Sequence, residues 1–564
     1  MKGSLFKKGF AALASLAVGI SGLALGVTAA NAAVALPTTT TVTLNATDEA
    51  QFTGHTYKVT KVANYAVTSG AAGVTTPTGN ETTYREALKA AGVTGVPTTG
   101  DPLEWAVENN KLDQSGTGNW LGNGTTRKFA DYLAAHLTLT NLDASKVTGT
   151  GTSRTVDLGS VGLWLIVDQA PSQSSTKALP ILVGTPWTKA DGLTEDLSAG
   201  TVEMKNQLPT VTKDVDNVTP SKGKDVTYTL NSNVPNYVGY RVKNYTYRLV
   251  DKFAPKDAPS KVNYTGEFPS VKIGDDTLTA NDYTVTYYTD EAMTAVTTDA
   301  KKAVAFRIDF SDYIQKQFTG TVADDSVFYS EALAGKPVIV KYKVHVNAAL
   351  GTTGVINTPG VEYSNKPGEE NDKDKPGYNP GPEKKIFNFP VKIIKTDKTT
   401  GQKLADAEFT VTGPDGATWS GKTGSNGELS LDGLGGIFLP DADAGNFSFS
   451  HTYTVEETKA PAGHVLPSDA TFKFTISGKI TGTGADATVT DLKYTLASGG
   501  GLQSFATVDS AKATITLQNA KNITQLPLTG AAGTAMFVTL GLVLAGAAFA
   551  VHTKSRSASR ALRR

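Results

Sequence analysis

The chain has 564 residues, a formal net charge of zero and no cysteine. The length leaves room for several domains, and the missing cysteine excludes disulfides, thiol nucleophiles and thiolate metal sites together. The balanced charge gives no reason to expect nucleic acid or an acidic surface as an obligatory partner. Stretches such as KDVTYTL, YTVTYYT and ATITLQN alternate with the two-residue period of half-buried strands. A string of all-β sandwich domains is predicted over an α/β enzyme.

In chain order, residues 1–32 read as a secretory signal peptide. Lys2, Lys7 and Lys8 precede an apolar run, and the small residues Ala30-Asn31-Ala32 predict cleavage after Ala32. Residues 33–207 form a first domain. Strand-like TTVTL and HTYKVTKVANYAV lead into helical TYREALKAAG and RKFADYLAAHL, and the strands GLWLIVD and ALPILVG close it. A sandwich with helical insertions is expected there. Residues 208–385 are strand-rich and end in the Pro/Gly/charge segment KPGEENDKDKPGYNPGPEKK, a loop or linker. Residues 386–524 form a third domain. The three domains do not repeat one another at a fixed period.

Residues 525–564 form a tail in three parts: the motif Leu526-Pro527-Leu528-Thr529-Gly530, an apolar span over 531–551, and a basic segment over 552–564. The span is long enough to cross a bilayer, and its basic flank predicts a cytoplasmic end. Pro527 presets an extended, kinked segment and Gly530 keeps the following bond uncrowded.

Strand parity in the third domain singles out three polar residues. Val391, Ile393 and Lys395 share one face, Tyr453, Val455 and Glu457 another, and Ile515, Leu517 and Asn519 a third. A buried lone ammonium or carboxylate is costly, so a Lys, a Glu and an Asn on apolar faces are expected to meet. Desolvation favours a neutral amine and a protonated carboxyl, which are a nucleophile and a proton shuttle. Beside an Asn amide they could form a Lys–Asn isopeptide bond and release ammonia. In the second domain the same parity aligns Val211, Lys213 and Val215; Tyr245, Tyr247, Leu249, Asp251 and Phe253; and Val361, Tyr363 and Asn365.

These features resemble those of Gram-positive sortase-assembled major (backbone) pilins with immunoglobulin-like CnaA- and CnaB-type isopeptide domains. YTVEETKAPAGH is similar to the CnaB E-box, with His464 where the family usually has Tyr. The resemblance implies Lys395 as nucleophile, Asn519 as acceptor and Glu457 as catalyst. By the CnaA pattern it implies Lys213, Asn365 and Asp251 in the second domain, with Asn357 in GVINTPG as the reserve acceptor. The tail resembles a cell-wall sorting signal, in which a sortase attacks the Thr529–Gly530 bond. TVEMKNQLPTV is similar to the interdomain motif whose lysine accepts the sortase-bound Thr. Lys205 takes that place although Met204 replaces the expected Pro, and Lys189 in PWTKADG is the rival.

The function this implies is the shaft subunit of a covalent pilus, joined Thr529 to Lys205 and anchored to peptidoglycan at the cell surface. Implied partners are a pilus sortase, a housekeeping sortase with peptidoglycan, and identical subunits, with minor pilins and host receptors as further candidates. The alternatives are a monomeric wall-anchored adhesin binding host matrix or glycan, or a minor or basal pilin. An enzyme is not expected, since the chemistry is single-turnover. No cofactor and no metal site are expected: the six histidines show no zinc spacing, and NDKDKPG and DADAG read as solvated turns rather than calcium loops. Phosphate loops, nucleophile elbows and basic aromatic patches are absent from the sequence.

Overall fold

The computed structural model describes residues 34–522 apart from 69–70, 113–124, 171–175, 194–196, 205, 236–244, 255–256, 317–332, 367–375 and 438–445, together with 542–547, 549, 551 and 552. The signal segment, Lys205, the motif Leu526–Gly530 and most of the apolar span lie outside the described residues. So do DADAG and most of NDKDKPG. Among the described residues no helix is long and apolar enough to cross a membrane.

Strands dominate, and among the described residues six sheets pack in pairs, two per domain, as the tandem-sandwich reading expects. In the first domain, Thr41–Asn45 lies between Ser153–Asp157 and Thr201–Glu203, and a second sheet runs through Ala71–Thr75, Thr56–Thr68, Leu163–Gln169 and Ile181–Gly184. The helices Glu81–Ala90, Pro102–Glu108 and Thr125–His136 are inserted after Ala71–Thr75. The first buries Tyr84, Ala87 and Leu88, one stripe at helical spacing. The second was not anticipated from periodicity. It is set by its ends: Asp101 accepts from the amides of Leu103 and Glu104, and Pro102 stands at the first turn.

The second domain pairs a sheet containing Val211–Val215, Asp225–Asn233 and Pro337–Val346 with one containing Ala305–Asp309, Tyr247–Phe253 and Val355–Tyr363. The third pairs Glu428–Leu434, Phe389–Asp397, Thr514–Asn519 and Ala506–Asp509 with Thr418–Lys422, Glu408–Thr412, Asn446–Lys459, Thr471–Thr481 and Thr488–Ala497.

One apolar core runs from Val211 to Leu517, through both of these domains, and a separate one fills the first. The seam between second and third domains is close-packed. Thr219 Oγ1 meets His451 Nε2 at 2.9 Å, and Asn388 accepts from Leu350 N at 2.7 Å while donating to Pro220 O at 3.3 Å. A Cβ on Gly436 would stand 2.4 Å from the His451 ring, so only glycine fits there.

Candidate functional site

Alternation along Phe389–Asp397 turns Phe389, Val391, Ile393, Lys395 and Asp397 into the third-domain core. The neighbouring strand Thr514–Asn519 runs parallel to it, with Lys395 opposite Leu517 and Asp397 opposite Asn519. Glu457 arrives from the facing sheet, near the end of Asn446–Lys459. Lys395, Glu457 and Asn519 are each at most 1% exposed, so their polar groups must satisfy one another. They do. Lys395 Nζ donates to Glu457 Oε2 at 2.9 Å, and Asn519 Nδ2 donates to Glu457 Oε1 at 2.9 Å. One carboxyl thus touches both nitrogens. Phe409 lies 5.7 Å from the ammonium. Burial holds the Lys395 amine down to about 8 against the pull of Glu457, and burial pushes the Glu457 carboxyl up.

The second-domain site is laid out differently. Lys213 comes from Val211–Val215 in one sheet, and Asp251 from Tyr247–Phe253 in the other. Lys213 Nζ donates to Asp251 Oδ2. The hydroxyls of Tyr264 and Tyr342 donate to Asp251 Oδ1 and Oδ2, both at 2.7 Å. The Lys213 ammonium lies 4.9 Å from the Tyr228 ring and 5.7 Å from that of Tyr342. Burial holds Lys213 down to about 8, with Asp251 opposing the shift. Burial and the charge of Asp251 push the Tyr264 and Tyr342 phenols well up, so both stay protonated donors.

The structure does not bring the expected Asn365 to this site. Asn365 has the right parity but the wrong height. Tyr247–Phe253 pairs antiparallel with Val355–Tyr363 so that Asp251 faces Pro359 and Phe253 faces Asn357. Asn365 lies beyond the other end of that strand, past the Tyr247–Tyr363 pair, roughly 25 Å from Asn357 at the usual strand rise. There its carbonyl accepts from Lys177 N of the first domain at 2.9 Å. Asn357 is the amide brought to the site. It is fully buried, and its Nδ2 donates to the Tyr342 hydroxyl at 3.0 Å. Its Oδ1 has no hydrogen-bond partner among the described residues.

Parity reasoning missed Tyr264 and Tyr342, although Tyr342 sits in VIVKYKVHV on the face of Val340 and Val344. It also passed over His464. The His464 ring meets Asp397 Oδ2 at 2.9 Å, clasping the E-box turn to the Lys395 strand. The amides of Thr400 and Thr399 and the Thr400 hydroxyl donate to Asp397 as well, and these hydrogen bonds hold its carboxyl well below the usual range.

Residues 389–488 match the SpaA prealbumin-like fold domain. This SpaA-like segment contains Lys395 and Glu457 and stops short of the Asn519 strand. No curated protein matches the chain. In architecture the chain is similar to solved major pilins of Gram-positive bacteria. It covers 99% of the full-length major pilin SpaD from Corynebacterium diphtheriae over 87% of its own length, at 17% identity and a TM-score of 0.47. The T6 backbone pilin of serotype M6 Streptococcus pyogenes gives 17% identity, 100% and 87% coverage and 0.42. BcpA, the major pilin subunit of Bacillus cereus, gives 13%, 99% and 86%, and 0.38.

Proposed function

We propose that this chain is the shaft subunit of a sortase-assembled pilus, stiffened by two internal Lys–Asn bonds, Lys395 to Asn519 and Lys213 to Asn357. The observation that carries this is the third-domain triad, where one buried carboxyl touches both the amine and the amide nitrogen. Transfer of the ammonium proton to Glu457 leaves a neutral Lys395 Nζ, which attacks Asn519 Cγ. The Cγ–Nδ2 bond breaks, the carboxyl delivers a proton to the departing nitrogen, and ammonia leaves. The reaction happens once per site and consumes the side chains.

Each bond closes a loop of roughly 100 residues or more, which by the chain-entropy model stabilises by about 4–5 kcal/mol. Lys395 to Asn519 fastens adjacent strands of one sheet, and Lys213 to Asn357 fastens one sheet to the other. Either would stop strands from parting under tension, in a chain with no disulfide.

Joining subunits is assigned to Thr529 and Lys205, on the motifs that hold them. The residues flanking Lys205 are well anchored. Met204 N donates to Asn45 O, and buried Asn206 exchanges hydrogen bonds with Gln51, at 3.0 Å to Asn206 Oδ1 and 2.8 Å to Gln51 O. Lys189, the rival, begins a short 3-10 turn, Lys189–Asp191. In the native host, Lys205→Ala should abolish the high-molecular-weight ladder on denaturing gels and leave monomer. A persistent ladder would move the linkage to another lysine such as Lys189. A wild type without any ladder favours a monomeric wall-anchored adhesin.

A further inference from the structure

We propose that Tyr342 is a catalytic proton relay for the second-domain bond, carrying the proton from Asp251 to the leaving nitrogen of Asn357. This rests on the reading of Lys213 and Asn357 as a crosslinking pair. The two sites pose the same chemical problem with different reach. In the third domain Glu457 contacts both reacting nitrogens itself. In the second, the carboxyl belongs to an aspartate, one methylene shorter. Its cross-strand partner is Pro359, while Asn357 is the diagonal neighbour opposite Phe253. Among the described residues Asp251 and Asn357 share no hydrogen bond: the carboxyl meets Lys213 Nζ, Tyr264 and Tyr342, and Asn357 Nδ2 meets Tyr342.

Tyr342 fills that gap from the facing sheet. Its hydroxyl accepts from Asn357 Nδ2 at 3.0 Å and donates to Asp251 Oδ2 at 2.7 Å, the oxygen that also receives Lys213 Nζ. Amine, carboxyl, phenol and amide nitrogen form one unbroken chain. A phenol both accepts and donates, so the chain can reverse without moving a heavy atom.

The steps balance. A proton passes from the Lys213 ammonium to Asp251, and the neutral amine attacks Asn357 Cγ. As Cγ becomes tetrahedral, Nδ2 regains its lone pair. Asp251 then gives its proton to the Tyr342 oxygen while Tyr342 gives its own to Nδ2. The Cγ–Nδ2 bond breaks, ammonia leaves, and the second Nζ proton returns to Asp251, which ends protonated beside a neutral amide. Tyr264, held by Asp251 Oδ1 at 2.7 Å, touches neither reacting nitrogen and is a positioning residue.

The test is peptide mapping by mass spectrometry of the full chain, sampled over time after synthesis, with the Lys395–Asn519 link as an internal clock. Tyr342→Phe should slow formation of the Lys213–Asn357 link by roughly 100-fold or more, the usual scale for a general acid–base group. The Lys395–Asn519 link should close at its normal rate, and Tyr264→Phe should slow the second-domain link much less. Equal closure rates in wild type and Tyr342→Phe would overturn the relay while leaving the crosslink reading intact. A wild type with no Lys213–Asn357 peptide pair would overturn both. Should Tyr342→Phe fail to fold, 2,3,5-trifluorotyrosine at position 342 keeps the hydroxyl but lowers its pKa. The relay then requires an altered pH profile of closure, and an unaltered one sinks it.

Discussion

Under the proposed crosslinking, the second and third domains face the same task, making a neutral amine and a departing ammonia inside an apolar core, and their side chains are set out in opposite layouts. In the third, amine and amide project from neighbouring parallel strands and the acid descends from the facing sheet. In the second, acid and amide share neighbouring antiparallel strands and the amine comes from across the core. The first layout lets one Glu touch both nitrogens; the second leaves a gap that a tyrosine fills. The first domain adds a third case. Its strand Thr41–Asn45 also runs parallel to the closing strand Thr201–Glu203. But the paired residues there that face the core are Leu44 and Val202, and the clasp is the exposed hydrogen bond from Asn45 Nδ2 to Glu203 Oε1 at 3.0 Å. Parallel first and last strands alone therefore do not bring an amine, an acid and an amide together in the core.

The largest effect should come from removing an acceptor. Asn519→Ala and Asn357→Ala should each restore one ammonia, about 17 Da, to the intact mass and cost about 4–5 kcal/mol in unfolding free energy. Asn365→Ala should leave the mass of the crosslinked protein deficient as in wild type. If instead Asn365→Ala restores the ammonia, Asn365 and not Asn357 is the acceptor.

A second difference concerns pH. Without its acceptor, Lys395 stays a titratable amine whose folded value is held near 8 by burial, below the ordinary value of 10.5. Between those two values the unfolded chain binds more protons than the folded one, so stability rises with pH. Thermal melts of Asn519→Ala should therefore move upward from pH 8 toward pH 10.5. In the crosslinked protein Lys395 Nζ is an amide nitrogen and that rise should be missing. Identical pH curves for the two proteins would count against the bond. The smallest effect is expected at the E-box clasp: His464→Ala should lower the melting temperature by less than either acceptor variant, with both mass losses still complete.

Much of this was legible along the chain because strand parity is a local property. Phe389–Asp397 alternates so cleanly that Lys395 had to face inward, and the same holds for Lys213 and Glu457. The helical stretches read near TYREALKAAG and RKFADYLAAHL correspond to the helices Glu81–Ala90 and Thr125–His136. The distance of Asn365 from Asp251 reflects what parity leaves out. A period of two states which face a residue occupies and says nothing of its height against the neighbouring strand. Both Asn357 and Asn365 satisfy the face, and only pairing Asp251 with Pro359 separates them.

The sequence by itself determined the strand-rich tandem architecture, the inward lysines and acids, and the candidate sorting and linking motifs, because alternation, composition and short motifs are written in consecutive residues. The tertiary structure decided which amide meets which acid, and that Tyr342 stands between Asp251 and Asn357. Those facts depend on strand register and on the packing of two sheets, where residues far apart in the chain are set against each other to within a hydrogen bond.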